Sequence, residues 1–206
     1  QIIGIHSKLF KISDKLVNLL GSNKITKTSY LTVSIDGGDD KSYNLSHNLS
    51  LKVKVYNRVI ENIKKITSIS KSNKIRLDLS ANYLVTKVNC SKEEVFKGIE
   101  NLVNAGVDSI RFSFPQLPRG KNTYEGTIIP NREEVKKIFS DIKPVIDEFK
   151  NSKTKVVLID YDADQQITEA RTLPCVARFI FPAISYDGYL SNCSQSAATN
   201  FRDMSL

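Results

Sequence analysis

Tyr30-LTVSIDGGDD-Lys41 reads as a strand over 30–35 that stops in the turn Asp36-Gly37-Gly38-Asp39-Asp40. After a polar loop comes Val55-YNRVIENIKKI-Thr67, where Val55, Val59, Ile63 and Ile66 recur at helical spacing and make one apolar face. The same change of period is found on both sides. Strand Ile2–Ile5 precedes a helix from about Ser13 to Leu20, with Ser13 as N-cap and Gly21 as its stop. Strand Ile75–Leu79 runs on through Tyr83 and Val85. Ser91 and Glu94 are spaced as a capping box for a helix that turns Val95, Ile99, Leu102 and Val103 inward and ends at Gly106. Strand Ser109–Phe114 stops at Pro115. Asn131 and Glu134 open a long helix bearing Val135, Ile138, Ile142, Val145 and Phe149, with a kink expected at Pro144. Strand Val156–Ile159 follows.

Strand and helix alternate through four or five rounds, which argues for βα units and a parallel sheet, closed or partly closed as a barrel. Periodicity leaves an open doubly wound sheet as the alternative. In either architecture ligands sit at the C-terminal strand ends. Those ends carry His6-Ser7-Lys8, then Ser34 to Gly38, then Thr86 and Asn89, then Pro115-Gln116. This is a rim of hydroxyls, carboxylate and free backbone with no close acid–base pair, better suited to a ribose or an adenine than to hydrolysis. His47 reads as solvent-facing. No P-loop and no GxGxxG is present.

Composition bounds the class. A chain of 206 residues, 40% hydrophobic and 25% charged, is that of a globular domain with a sizeable core. No run of 18 apolar residues occurs, so no membrane span is expected, and residues 1–20 do not read as a signal peptide. The net charge of +8 comes mainly from lysines spread over helices and loops, without the clustered basic and aromatic residues of a nucleic-acid surface. Three cysteines, an odd number, suit a reducing cytoplasm better than a disulfide framework. The chain opens in an apolar strand at Gln1 and stops at Leu206, and so reads as an internal part of a longer protein.

Near its end stands Cys175-VARFIFPAISYD-Gly188-YLSN-Cys193. A strand over Arg178–Ile184, an Asp187-Gly188 turn and a second short strand make a hairpin with a thiol at each end. Such a hairpin can aim both sulfurs at one soft metal. Two unrelated buried cysteines flanking an ordinary hairpin are the other reading. Cys90 sits at a helix start without a partner and reads as inert.

Together these residues resemble the radical SAM superfamily. Tyr30–Lys41 and Val55–Thr67 are similar to its fourth strand and helix, where the strand ends in Ser-x-Asp-Gly. Residues 81–89, 93–108 and 109–116 look like the fifth and sixth units. Cys-x(12)-Gly-x(4)-Cys resembles the opening signature of the SPASM and twitch extensions, which carry auxiliary iron–sulfur clusters. The resemblance implies a partial (β/α) barrel over 1–165 and the start of a SPASM/twitch domain over 170–206. It implies S-adenosylmethionine and a [4Fe–4S] cluster as cofactors, with an auxiliary cluster on Cys175 and Cys193. Ser34, and less directly Asp36, would meet the ribose or methionine part of S-adenosylmethionine, with backbone near Leu84 and Phe114 flanking the adenine.

The CxxxCxxC of the family's first cluster is absent from the chain. The resemblance places it ahead of Gln1, and further auxiliary ligands past Leu206. His6-Ser7-Lys8 departs from the Thr-Asn-Gly of many relatives. The parent would be an oxidoreductase or modifying enzyme acting on a peptide or protein, fed by a reductant such as flavodoxin or ferredoxin, and inactive as this piece alone. A non-iron βα-barrel aldolase or hydrolase, and a basic scaffold or nucleic-acid binder, are the competing classes. The first would need a lysine or a carboxylate pair at the strand ends.

Overall fold

In the computed structural model the described residues are 4–20, 29–72, 77–115 and 127–159, with strands beyond them at 183–184, 189–191 and 204–205. Five strands form one sheet: β1 (Gly4–Ser7), β2 (Tyr30–Ser34), β3 (Asp78–Leu84), β4 (Ser109–Ser113) and β5 (Lys155–Leu158). Helices α1 (Asp14–Leu20), α2 (Asp40–Ser46), α3 (Val55–Ser72), α4 (Lys92–Ala105) and α5 (Arg132–Glu148) alternate with them. Every neighbouring pair is parallel, and the order is β1-β2-β3-β4-β5.

That order excludes the doubly wound alternative. A doubly wound sheet reverses direction and lays helices on both faces. Here the chain winds one way, and one face is sealed. Leu31, Val33, Ile35, Ala81, Tyr83, Val85, Ile110 and Phe112 are fully buried in one core with Val59, Ile63, Val95, Ile99, Leu102 and Ile142 of the helices. Their strand neighbours Tyr30, Ser34, Ser80, Asn82, Leu84, Arg111 and Ser113 point to the other face and are half-buried or exposed. Thr32 is the buried exception, hydrogen-bonded to the Ser80 hydroxyl at 2.9 Å.

Local signals are met in most places. Ser13 Oγ accepts from Leu16 N at 3.2 Å at the start of α1. Asn131 and Glu134 form the expected capping box of α5, which runs on through Pro144. Gly106 ends α4 with φ of 85°, a left-handed conformation that glycine adopts at little cost. The expected box at Ser91 is half realised: Ser91 caps Glu94 N, but the Glu94 carboxylate reaches away to Gly38 and Ser42. Helix α2 falls within what the sequence reads as turn and polar loop, because its seven residues hold few apolar positions from which to read a period.

The chain divides into two compact units, Gln1–Tyr161 and Asp162–Leu206. In the second, β6 (Ala183–Ile184) pairs antiparallel with β7 (Tyr189–Ser191), and β7 pairs antiparallel with β8 (Met204–Ser205). The first two are the arms of the expected hairpin; the third strand adds to it without a signal in the sequence. Cys175, Cys193 and the turn at Asp187-Gly188 lie outside the described residues, as do Gln116, Gly21, Ile2 and Ile3.

Candidate functional site

Parallel strands end together, so Ser34, Asp36, Leu84 and Phe114 come to one edge of the sheet. Their surroundings differ. Ser34 is half-buried at the top of β2, and its hydroxyl donates only a long 3.4 Å bond to Asp36 Oδ2. Leu84 ends β3 and stays 37% exposed, an apolar position at the top of a polar face. Phe114 is 6% exposed, with its side chain in the helix-side core.

Asp36 is 6% exposed and engaged on both oxygens. Oδ1 accepts from Leu84 N at 2.8 Å, and Oδ2 lies 3.2 Å from His47 Nε2. Its backbone carbonyl accepts from Asn89 Nδ2 at 3.0 Å. Asn89 is fully buried and also bonds Leu84 O at 3.0 Å and Ser46 Oγ at 3.3 Å. Its Oδ1 accepts from Thr86 N at 2.6 Å and Thr86 Oγ1 at 3.1 Å. Thr86 and Asn89, read from sequence as rim groups for a ligand, therefore satisfy one another and lock β2, β3 and α2 together. Buried polar groups left unpaired would cost about 1–3 kcal/mol each, which is why this knot is complete.

Two sequence expectations are overturned here. His47 is not turned to solvent: its side chain is 18% exposed, rests on Tyr43 with centroids 4.4 Å apart, and meets Asp36. The rim does hold a close acid–base pair. Lys8 Nζ stands 3.1 Å from His47 Nδ1 and 3.5 Å from Nε2, and Nε2 faces Asp36 Oδ2 at 3.2 Å. Ser34, Asp36, His47 and Lys8 thus form a connected line from the sheet face outward. Ser7 does not join it; its Oγ accepts from Leu9 N at 3.0 Å in a local turn.

The glycine turn serves packing. Gly38 N donates to Glu94, and its carbonyl accepts from Asn101 Nδ2 at 3.0 Å. A Cβ on Gly37 would come within 2.6 Å of Tyr43 N, so the turn lies hard against α2. Among the described residues no group of three His, Cys, Asp or Glu side chains could hold a metal ion. Cys90 is half-buried, its thiol pushed up by burial, and its Sγ donates to Lys87 O at 3.6 Å. It does not fit a cluster ligand.

What sequence reading missed most is the open face itself. Asn82, Arg111 and Ser113 project from it, in register with Ser34 and Leu84. A signal was present. Parallel strands covered on both faces read as continuous apolar runs, whereas Ser109-Ile110-Arg111-Phe112-Ser113 alternates strictly.

Fold and face define a class: a singly wound parallel α/β protein with one sheet face packed on helices and the other polar. In fold the chain is similar to Streptococcus suis SuiB. The structure of SuiB bound to S-adenosylmethionine matches with TM-score 0.63 and 14% identity, over 96% of this chain and 44% of that one. SuiB bound to the precursor peptide SuiA gives 0.61 and 12%, over 98% and 44%. Native anSMEcpe with bound AdoMet and the Kp18Cys peptide gives 0.59 and 13%, over 100% and 56%. The chain spans about half the length of these structures. No protein-family model and no curated protein matches its sequence. No helix among the described residues is long and apolar enough to cross a membrane.

Proposed function

We propose that this chain is part of a radical SAM enzyme that modifies a peptide or protein, and that S-adenosylmethionine lies across the open face at the ends of β2 and β3. The observation that carries the reading is the fold match over almost the whole chain to two proteins solved with that ligand. It is supported by the Ser-Ile-Asp-Gly turn and the spaced cysteines of the sequence. With a [4Fe–4S] cluster held by the longer protein's cysteines and S-adenosylmethionine held at Ser34, the pair would supply radical hydrogen-abstraction chemistry.

This chain's own residues bind and orient. Ser34 keeps an under-used hydroxyl for a ribose or carboxylate oxygen, and exposed Leu84 offers an apolar platform for the adenine. Asp36 acts at one remove, holding Ser34, Leu84 N and His47 in place. The first cluster needs cysteines this chain does not contain. An auxiliary cluster would take Cys175 and Cys193, with further ligands from the longer protein. A low-potential donor of the flavodoxin or ferredoxin kind, a peptide substrate and a cytoplasmic setting belong to the same proposal.

A non-iron βα-barrel aldolase or hydrolase gains one observation, the line from Lys8 through His47 to Asp36. Against it, Asp36 already has both oxygens engaged by the fold. Calorimetric titration of the full-length protein with S-adenosylmethionine decides between the readings. Ser34→Ala should weaken binding by about 1 kcal/mol, the usual worth of one neutral hydrogen bond. Absence of binding by the parent protein would refute the radical SAM reading. Unchanged affinity in the variant would remove Ser34 from the site.

A further inference from the structure

The open face holds an uncompensated positive charge. Arg111 on β4 lies beside Val157 of β5 in register, and Lys155 lies beside Ser109 one row below. Both project from the same face, and both are exposed. Strand spacing and rise put their Cα atoms about 8 Å apart on the diagonal, within reach of one shared anion. Among the described residues no carboxylate comes within ion-pair distance of either. Asp78, the acid that β3 contributes to this face, stands four residues before Asn82 in the strand, about 13 Å down the face. Beside Arg111, Asn82 is its β3 register partner, with a side-chain amide that no described residue engages.

We propose that Arg111 and Lys155, with Asn82 alongside, form a subsite that anchors a carboxylate of the substrate, so that the preferred peptide carries an Asp or Glu side chain near its reacting residue. This rests on the proposed function and deepens it. Arg presents a planar fork matched to a carboxylate, and a second cation and an amide donor add to it. S-Adenosylmethionine is the poorer occupant. Its sulfonium and ammonium outweigh its carboxylate, and two unpaired cations repel a ligand of net positive charge. Its expected place by Ser34 lies beside Asn82 but two strands from Arg111, and next to the Asp36 carboxylate.

The test uses two capped tripeptides, acetyl-Ala-Glu-Ala-amide and acetyl-Ala-Gln-Ala-amide, titrated into the full-length protein while the Arg111 side-chain N–H is followed by NMR. The Glu peptide should shift that signal and bind about tenfold more tightly than the Gln peptide, the worth of one charge-assisted hydrogen bond. Arg111→Gln with Lys155→Gln should abolish the preference. Equal binding of the two peptides, or a preference that survives the double variant, overturns the proposal, and the first of these outcomes is read on the parent protein alone. S-Adenosylmethionine is titrated in parallel. If its affinity falls about tenfold in the double variant while neither peptide discriminates, the carboxylate is the cofactor's and the substrate assignment is wrong. If the parent protein fails to bind S-adenosylmethionine at all, the functional reading fails, while the comparison of Glu with Gln still scores the subsite.

Discussion

Gly38 shows how one residue joins the turn after β2 to α4. Its N–H donates to the Glu94 carboxylate, its carbonyl accepts from Asn101, and a Cβ there would overlap the Glu94 carbonyl oxygen and come within 3.0 Å of Gly98 N. Those obstacles are helix backbone, which cannot swing aside. Gly38→Ala should therefore cost about 1–3 kcal/mol, the range of overpacked core sites. Urea unfolding checks it: a lower midpoint with unchanged slope is expected. A variant as stable as the parent would mean that α4 retreats freely from the turn. The same residues show a limit of sequence reading. Asp-Gly-Gly announces a turn from composition alone, but nothing local tells that the glycines serve helix approach. Nor does sequence spacing show that His47, eleven positions past Asp36, returns to that carboxylate once α2 has folded.

At the scale of elements, α2 was the least legible because its stability comes from polar bonds. Asp39 caps it: the Asp39 carboxylate accepts from Ser42 N at 2.9 Å, and Lys97 of α4 pairs with the same group at 2.8 Å. Burial alone would raise the Asp39 pKa, but the Lys97 hydrogen bond and the Ser42 bonds outweigh it, and the net value lies below the usual 3.8. A carboxyl whose folded pKa is depressed adds stability above its unfolded pKa and loses it as pH falls through the lower folded value. Asp39→Asn keeps the cap, since Asn caps as well as Asp, and removes the charge pair. The parent's advantage over this variant should be full at about pH 7 and shrink as pH falls through the lowered folded pKa. Urea midpoints across that range test it, and an advantage that persists in acid would show the pair to be inert. Strands and long helices were readable for the opposite reason. Val55, Val59, Ile63 and Ile66 of α3 are all buried, and periodicity measures that burial directly.

For the molecule as a whole, the direction of winding explains why one sheet face is left polar. A chain that always advances to the next parallel strand lays its helices on one side and leaves the other face to be covered by something else. In this protein that face carries Ser34, Asn82, Arg111 and Lys155, polar groups that a second helix layer would have buried at a cost. Strict alternation in Ser109–Ser113 carried the signal of the uncovered face, although the sequence reading passed over it. The identity of its occupant was not legible, since register between strands far apart in sequence comes only from the folded sheet. The second unit carries the other half of the functional proposal, the cluster on Cys175 and Cys193. Anaerobic reconstitution of the full-length protein, with each cysteine changed in turn to alanine, measures it as iron content. Each variant should lose the iron of one auxiliary cluster, because a cluster short of a thiolate ligand is held poorly, and should still cleave S-adenosylmethionine at the separate first cluster. Full iron in both variants would leave the β6–β7 hairpin a structural element and detach the SPASM part of the assignment. The open face and its winding would stand unchanged.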